Sequence, residues 1–242
     1  MSPPSPPVDV AALQRCLDAG GVAVVPTDTV YGLACDPRCS AAIRRMYAVK
    51  GRPRPRPAAV MFFTLEAAAA VIGQLGPRTC AAARATLPGP VTLLLPDPAH
   101  RWAVAGGGAT VGLRVPELPE RLRPLGALTR PLLQTSANPT GASPPARVDA
   151  LDPTVGAEVD LVLDGGVLPG RPSSVVDLCD YEVSGRWTLI REGAVSSQQL
   201  AATLDSPPPA EGDPRRARAV AMRPLEALLP SRSLPGEEPL PR

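Results

Sequence analysis

Residues 20–33 read Gly20-Gly-Val-Ala-Val-Val-Pro-Thr-Asp-Thr-Val-Tyr-Gly-Leu33. The run 22–26 is apolar, rich in valine and too short for a buried helix, so it predicts a buried strand. Two hydroxyls, a carboxylate and a phenol follow at Thr27, Asp28, Thr29 and Tyr31, packed into a turn closed by Gly32. In open α/β sheets, ligand sites collect at such strand ends. Thr and Tyr can hydrogen-bond a small polar ligand, and Asp28 is suited to orienting them or to helping hold a metal. Read alone, the stretch is more simply a strand-to-helix turn with Asx-type capping.

Outward from this stretch, short apolar runs alternate with amphipathic ones. Residues 8–19 carry Val10, Leu13 and Leu17 at helical spacing, and Gly20-Gly21 ends the pattern. A second helix is predicted over 41–49, with Ile43, Met46 and Tyr47 on one side. Further helices are predicted at 65–75, 78–87 and 196–204. Strands are predicted at 58–63, 91–95, 110–115, 132–135, 161–163, 174–178 and 187–191. Several consecutive strands late in the chain argue for a twisted mixed α/β sheet with flanking helices rather than a strict doubly wound order. The predicted globular region is 8–204. Residues 1–7 read as a disordered Pro/Ser lead. Residues 205–242 read as a Pro-rich, mostly disordered tail with one helix-like stretch at 219–229.

Composition narrows the chemistry. The chain has 242 residues, 44% of them hydrophobic, and a formal net charge of +2. That is enough for one sizeable core, and a charge so small argues against a general nucleic-acid coat. Lys50 is the only lysine; every other basic residue is arginine. A lysine is a compact point charge that guanidinium does not copy. The five cysteines, at 16, 35, 39, 80 and 179, lack paired zinc-ligand spacing and predict reduced thiols in a cytoplasmic protein. No apolar run approaches the roughly 20 residues of a membrane span. His100 is the only histidine and has no partner pattern, which disfavours a Ser/His/Asp triad. The phosphate loops G-x-G-x-x-G and G-x-x-x-x-G-K-[ST] are absent.

Other polar clusters end apolar runs. Lys50, Arg52, Arg54 and Arg56 alternate through a Pro-stiffened segment, which if extended points the cations to one side, a rail suited to polyphosphate. A solvated basic linker is the alternative. Arg114 is flanked by apolar residues and needs a partner, either a protein carboxylate or an anionic ligand. Ser136 and Asn138 are two apart and face one way in an extended segment, or form a polar turn before Pro139. Ser173 begins one strand and Arg191 ends another; both also fit solvated strand ends. The inventory is cations, hydroxyls and an amide. It suits electrostatic positioning of a phosphate reaction, which needs little covalent help from the protein.

The ordered motifs PTDTVYGLACD (26–36), KGRP (50–53), PGPVTLLL (88–95), TVGLRVP (110–116), TSANPTG (135–141), DGG (164–166), SSVVDL (173–178) and LIREGAV (189–195) resemble the YrdC-like threonylcarbamoyl-AMP synthases. The resemblance implies a twisted α/β fold with a concave, basic face. It implies a nucleotidyltransferase that makes L-threonylcarbamoyl-AMP and pyrophosphate from L-threonine, bicarbonate and ATP, with Mg²⁺ accompanying the ATP. The product would serve threonylcarbamoylation of tRNA adenosine, through downstream transferase proteins. By resemblance, Lys50, Arg52, Ser136 and Asn138 form a basic and polar tetrad around the nucleotide, with Lys50 and Arg52 catalytic. Arg56, Thr110 and Arg191 match further ATP contacts. Thr29, Arg114 and Ser173 match threonine or carbamate contacts, with Tyr31 lining the same pocket. No metal ligand is assigned.

Some positions depart from the family. Met61 stands where a His is usual, Arg56 replaces a common Lys, Ser174 a Thr and Glu192 a Pro. Two other readings compete. One is a carbamoyl-adenylate-forming relative, like the YrdC-like module of hydrogenase maturation factors. The other is a non-catalytic module binding double-stranded RNA or the ribosome through a basic face. Two Phe, three Tyr and two Trp make the latter weaker, as does the small net charge, leaving weak RNA binding at most.

Overall fold

The computed structural model describes residues 8–51, 58–102, 105 and 108–205. The predicted lead, the tail, Arg52, Arg54 and Arg56 lie outside the described residues. Helix α1, Val10–Asp18, starts at Asp9, whose carboxylate accepts from the Ala12 amide, and buries Leu13 and Leu17. Strand β1, Ala23–Val25, is fully buried. The next element is a strand, not a helix: β2, Gly32–Cys35, runs antiparallel to β1 with Val25 opposite Gly32. Residues 26–31 therefore join two strands. A side chain at position 32 would collide with Gln134, whose Nε2 lies 2.2 Å from where a Cβ would sit. Glycine there leaves room for the Gln134 side chain of the neighbouring strand.

Helix α2, Ser40–Val49, buries Ala42, Met46 and Tyr47. Strand β3 is Ala59–Met61. Helix α3, Leu65–Ile72, is capped by Thr64, and α4, Pro77–Thr86, begins on a proline. The next strands are β4, Val91–Pro96, β5, Thr110–Arg114, and β6, Leu132–Ser136. After them come α5, Pro153–Glu158, β7, Leu161–Val162, β8, Ser174–Asp177, and α6, Tyr181–Ser184. The last described elements are β9, Thr188–Arg191, and α7, Ser197–Leu204, which opens with a Ser196/Gln199 capping box.

The described strands form one sheet in the order β7-β1-β2-β6-β3-β5-β4-β8-β9. The β1–β7, β3–β5 and β4–β8 pairs are parallel and the rest antiparallel, so the sheet is mixed as expected. All five cysteines are free thiols.

An ion network clamps one edge of the core. Arg130 bonds both Asp18, at the end of α1, and Asp36, just past β2, and Arg38 meets the same Asp36 carboxylate at 2.9 Å. Burial alone would push the Asp36 pKa up, but hydrogen bonds from Arg38 and then the charge of Arg130 outweigh it and hold it low. Arg130→Ala is expected to cost about 2–3 kcal/mol in urea unfolding near neutral pH, mostly through Asp36, since Asp18 is largely exposed. A carboxylate held low stabilises the fold above its unfolded pKa and stops doing so as pH falls through its folded value. The gap between wild type and variant should therefore narrow in acid.

Candidate functional site

A cleft of about 360 Å³ opens over one face of the sheet. Thr92 and Leu94 of β4, Gly112 and Arg114 of β5, and Gln134 and Ser136 of β6 all line it. Each pair is two residues apart, so the pleat presents both members to one side. Val30 and Pro144 form part of the wall, with Ser173, Ile190 and Arg191 at the β8–β9 end.

Arg114 is the most constrained cation here. Its side chain is 4% exposed, and its Nη2 reaches Asp28 Oδ1 at 2.5 Å, Thr29 Oγ1 at 2.6 Å and Thr27 Oγ1 at 3.3 Å. Its Nε is buried with no partner among the described residues. The protein-carboxylate partner that the sequence allows for this arginine is Asp28. One edge of the guanidinium is held by protein, and the residue still lines the cleft.

Arg191 comes from the opposite wall. Its Nη2 donates to the Ser173 carbonyl at 2.8 Å, and the Ser173 hydroxyl lies 2.9 Å from Thr92 Oγ1. Burial, and then the charge of Arg114, lower the Arg191 pKa from its usual value. A guanidinium remains cationic even so. The cleft therefore brings together two cations that repel each other, and an anion between them would relieve that repulsion.

Lys50 sits beside this region rather than in the cleft. It is 1% exposed. Its Nζ donates to the Ser136 carbonyl, to the Asn138 carbonyl at 2.8 Å, and lies 3.4 Å from Ser136 Oγ. The Thr140 amide and hydroxyl return to the Lys50 carbonyl at 3.1 and 3.0 Å. Lys50 is thus pinned at both ends to residues 136–140, which brings three members of the expected tetrad together across almost ninety positions of chain. Ser136 faces the cleft. Asn138 donates to the carbonyls of Pro139 and Ala142 and leaves its Oδ1 buried without a partner among the described residues. Arg52 and Arg56 fall outside the described residues.

Thr29, Tyr31 and Thr110 are not among the residues that line this cleft. Thr29 is fully buried with its hydroxyl engaged by Arg114, so it meets the cleft only through that arginine. Tyr31 is fully buried, and its hydroxyl donates to the Gly166 carbonyl at 2.7 Å and accepts from the Gly165 amide at 2.9 Å. Burial first of all pushes its pKa up to about 12. It fastens the 164–166 turn. Thr110 begins β5 opposite Pro96, at the far end of the strand from Arg114. Thr92 and Gln134 were missed as candidates. The available signal was a lone polar residue inside each apolar strand run, V-T-L-L-L and L-L-Q-T.

The fold and cleft define an α/β protein with a mixed sheet whose face gathers two arginines, hydroxyls and a lysine-stapled turn. The profile of the Sua5/YciO/YrdC family, described as telomere recombination, matches residues 15–193, and the chain belongs to this family. It is 36% identical over 179 residues to a threonylcarbamoyl-AMP synthase of Thiobacillus denitrificans, covering 71% of this chain and 92% of that one. It is 37% identical over 169 residues to the threonylcarbamoyl-AMP synthase of Xanthomonas campestris pv. campestris (strain B100), covering 68% and 89%. Among solved structures, P. abyssi Sua5 complexed with L-threonine superposes with a TM-score of 0.68 at 26% identity. That match covers 80% of this chain and 56% of the Sua5 chain.

Proposed function

We propose that the chain is an L-threonylcarbamoyladenylate synthase, a nucleotidyltransferase that converts L-threonine, bicarbonate and ATP to threonylcarbamoyl-AMP and pyrophosphate. The observation that carries this reading is the meeting of Arg114 and Arg191, from β5 and β9, in one cleft beside Ser173 and Ser136. Relatives bearing that activity in their names support it across most of their length.

The chemistry follows from charge. Bicarbonate gives up water as CO₂, taking the proton that threonine's amine releases as it captures that CO₂ as a carbamate. An oxygen of the carbamate attacks the α-phosphorus of ATP, and the bond to pyrophosphate breaks. Nucleophile and electrophile are both anionic, so cations must offset their repulsion. In this reading Arg114 and Ser173 hold the threonine carbamate. Arg191, with Arg56 and Thr110, holds the nucleotide, and Lys50 and Arg52 with Ser136 and Asn138 frame its phosphates. A carbamate oxygen is already a nucleophile, so no histidine base is required. Met61 is registered directly beside Arg114 and is fully buried, so the position where the family usually carries His offers no proton here.

Mg²⁺ enters this reading with the nucleotide. Among the described residues no three His, Cys, Asp or Glu side chains converge as a metal site, and Asp28, which the sequence offered as a possible ligand, is bonded to Arg114. No step above runs through a metal. No helix of the described residues is long and apolar enough to cross a membrane. We place the protein in the cytoplasm, handing its product to tRNA-modifying transferase proteins.

Incubated with ATP, bicarbonate and threonine, the protein is expected to release pyrophosphate, and omitting either threonine or bicarbonate should stop release. Threonine-independent release sustained by an added preformed carbamoyl donor would instead indicate the carbamoyl-adenylate-forming relative. No release, with tight binding of double-stranded RNA, would indicate a non-catalytic module.

A further inference from the structure

Asp28 belongs to the motif that opens the site, yet the proposed reaction gives it no task. Its two carboxylate oxygens do different things. Oδ1 takes the Nη2 of Arg114 at 2.5 Å, and Oδ2 accepts the backbone amide of Glu117 at 3.0 Å. Glu117 lies three residues beyond Arg114, where the chain leaves β5. One carboxylate thus fixes both the end of the strand and the side chain that the strand projects.

The remaining acceptors on Arg114 are neutral. Nη2 has two protons and faces three oxygens, those of Thr27, Asp28 and Thr29. The Thr27 hydroxyl is itself committed to the Val30 carbonyl at 2.7 Å and lies 3.0 Å from that of Thr29. Hydroxyls can rotate and carry no charge, whereas the carboxyl group is ion-paired with the guanidinium, anchored by a backbone amide and 7% exposed. Without it, a buried guanidinium next to Arg191 would keep only neutral partners.

We propose that Asp28 is a positioning residue for Arg114: it holds the guanidinium by its Nη2 edge, so that the remainder is presented to the cleft in a single pose. The kinetic form of this inference rests on the synthase reading, with Arg114 on the threonine side. Asp28 touches no substrate in this account and acts only through Arg114.

The test compares Asp28→Asn in the wild-type and Arg114→Lys backgrounds. An amide cannot serve both neighbours, because its NH₂ must face either a guanidinium or a backbone N–H. In wild type the substitution is expected to raise the threonine KM about tenfold to a hundredfold, leaving the ATP KM within about twofold. In Arg114→Lys, whose ammonium cannot reproduce the fork, it should add less than about twofold. Equal factors in both backgrounds, or an unchanged threonine KM, would overturn the proposal. The second readout is independent of turnover: ¹⁵N NMR of the arginine side chains. Arg114 should show slow guanidinium rotation in wild type and fast rotation in Asp28→Asn, and identical rotation would also overturn the proposal. If wild type makes no threonine-dependent pyrophosphate, the synthase reading falls while the NMR comparison still decides the role of Asp28. Should Asp28→Asn not fold, Asp28→Glu keeps the carboxyl group but displaces it by one methylene. Faster Arg114 rotation in that variant then supports the proposal, and unchanged rotation contradicts it.

Discussion

Lys50→Ala is expected to reduce pyrophosphate release by at least about a thousandfold and also to lower stability by about 2–5 kcal/mol. The two losses share one cause. Lys50 Nζ is a buried cation shared between the carbonyls of Ser136 and Asn138, and the Lys50 carbonyl receives both polar groups of Thr140. Truncation leaves two inward-facing carbonyls without their charged donor, and each such loss costs about 1–3 kcal/mol. The 136–140 segment then loosens, and the proposed phosphate frame goes with it. Lys50→Met separates the effects by filling the space without the charge. It should recover part of the melting temperature and none of the turnover. Turnover near the wild-type rate in either variant would remove Lys50 from the site.

Arg114→Gln is expected to lower kcat/KM for threonine by about a hundredfold to a thousandfold, a loss of about 3–4 kcal/mol in transition-state stabilisation. The variant withdraws one of the two cations that meet in the cleft and leaves Asp28 buried beside a neutral amide. An uncompensated buried carboxylate is itself unfavourable, so a fall in melting temperature should accompany the kinetic loss. The kinetic split identifies the role. A threonine-side cation should affect threonine KM and kcat while leaving ATP binding, followed by calorimetry, within about threefold. Weakened ATP binding with unchanged threonine dependence would place Arg114 on the nucleotide side.

Much of this architecture is legible in the chain. The spacing of Leu13 and Leu17, the valines at 24 and 25 and the alternation through Thr92 and Leu94 give helices and strands where the structure has them. β2 is hidden because Gly32-Leu-Ala-Cys35 has no β-branched or aromatic residue and no alternation, being buried throughout. What decides it as a strand is pairing on both sides, including the close approach of Gln134. Helices α5 and α6 are too short to show a period.

For the site, residue type gives the inventory but not the direction of each side chain. Thr29, Tyr31 and Arg114 all carry chemistry that suits a ligand. Only the fold shows that the Thr29 hydroxyl serves Arg114 and that the Tyr31 hydroxyl serves the 164–166 turn. Lys50 stands out in the sequence by being the only lysine. Its burial, and its role as a staple between the end of α2 and the 136–140 segment, depend on contacts between residues far apart in the chain.

The central claim is that this cleft joins a threonine carbamate to AMP. The most direct measurement is mass spectrometry of the product formed from ATP, threonine and ¹³C-bicarbonate. The account predicts a threonylcarbamoyl-adenylate carrying a single labelled carbon, formed together with pyrophosphate and absent in Arg114→Gln. An adenylate without the label, or a labelled adenylate made without threonine, would contradict it.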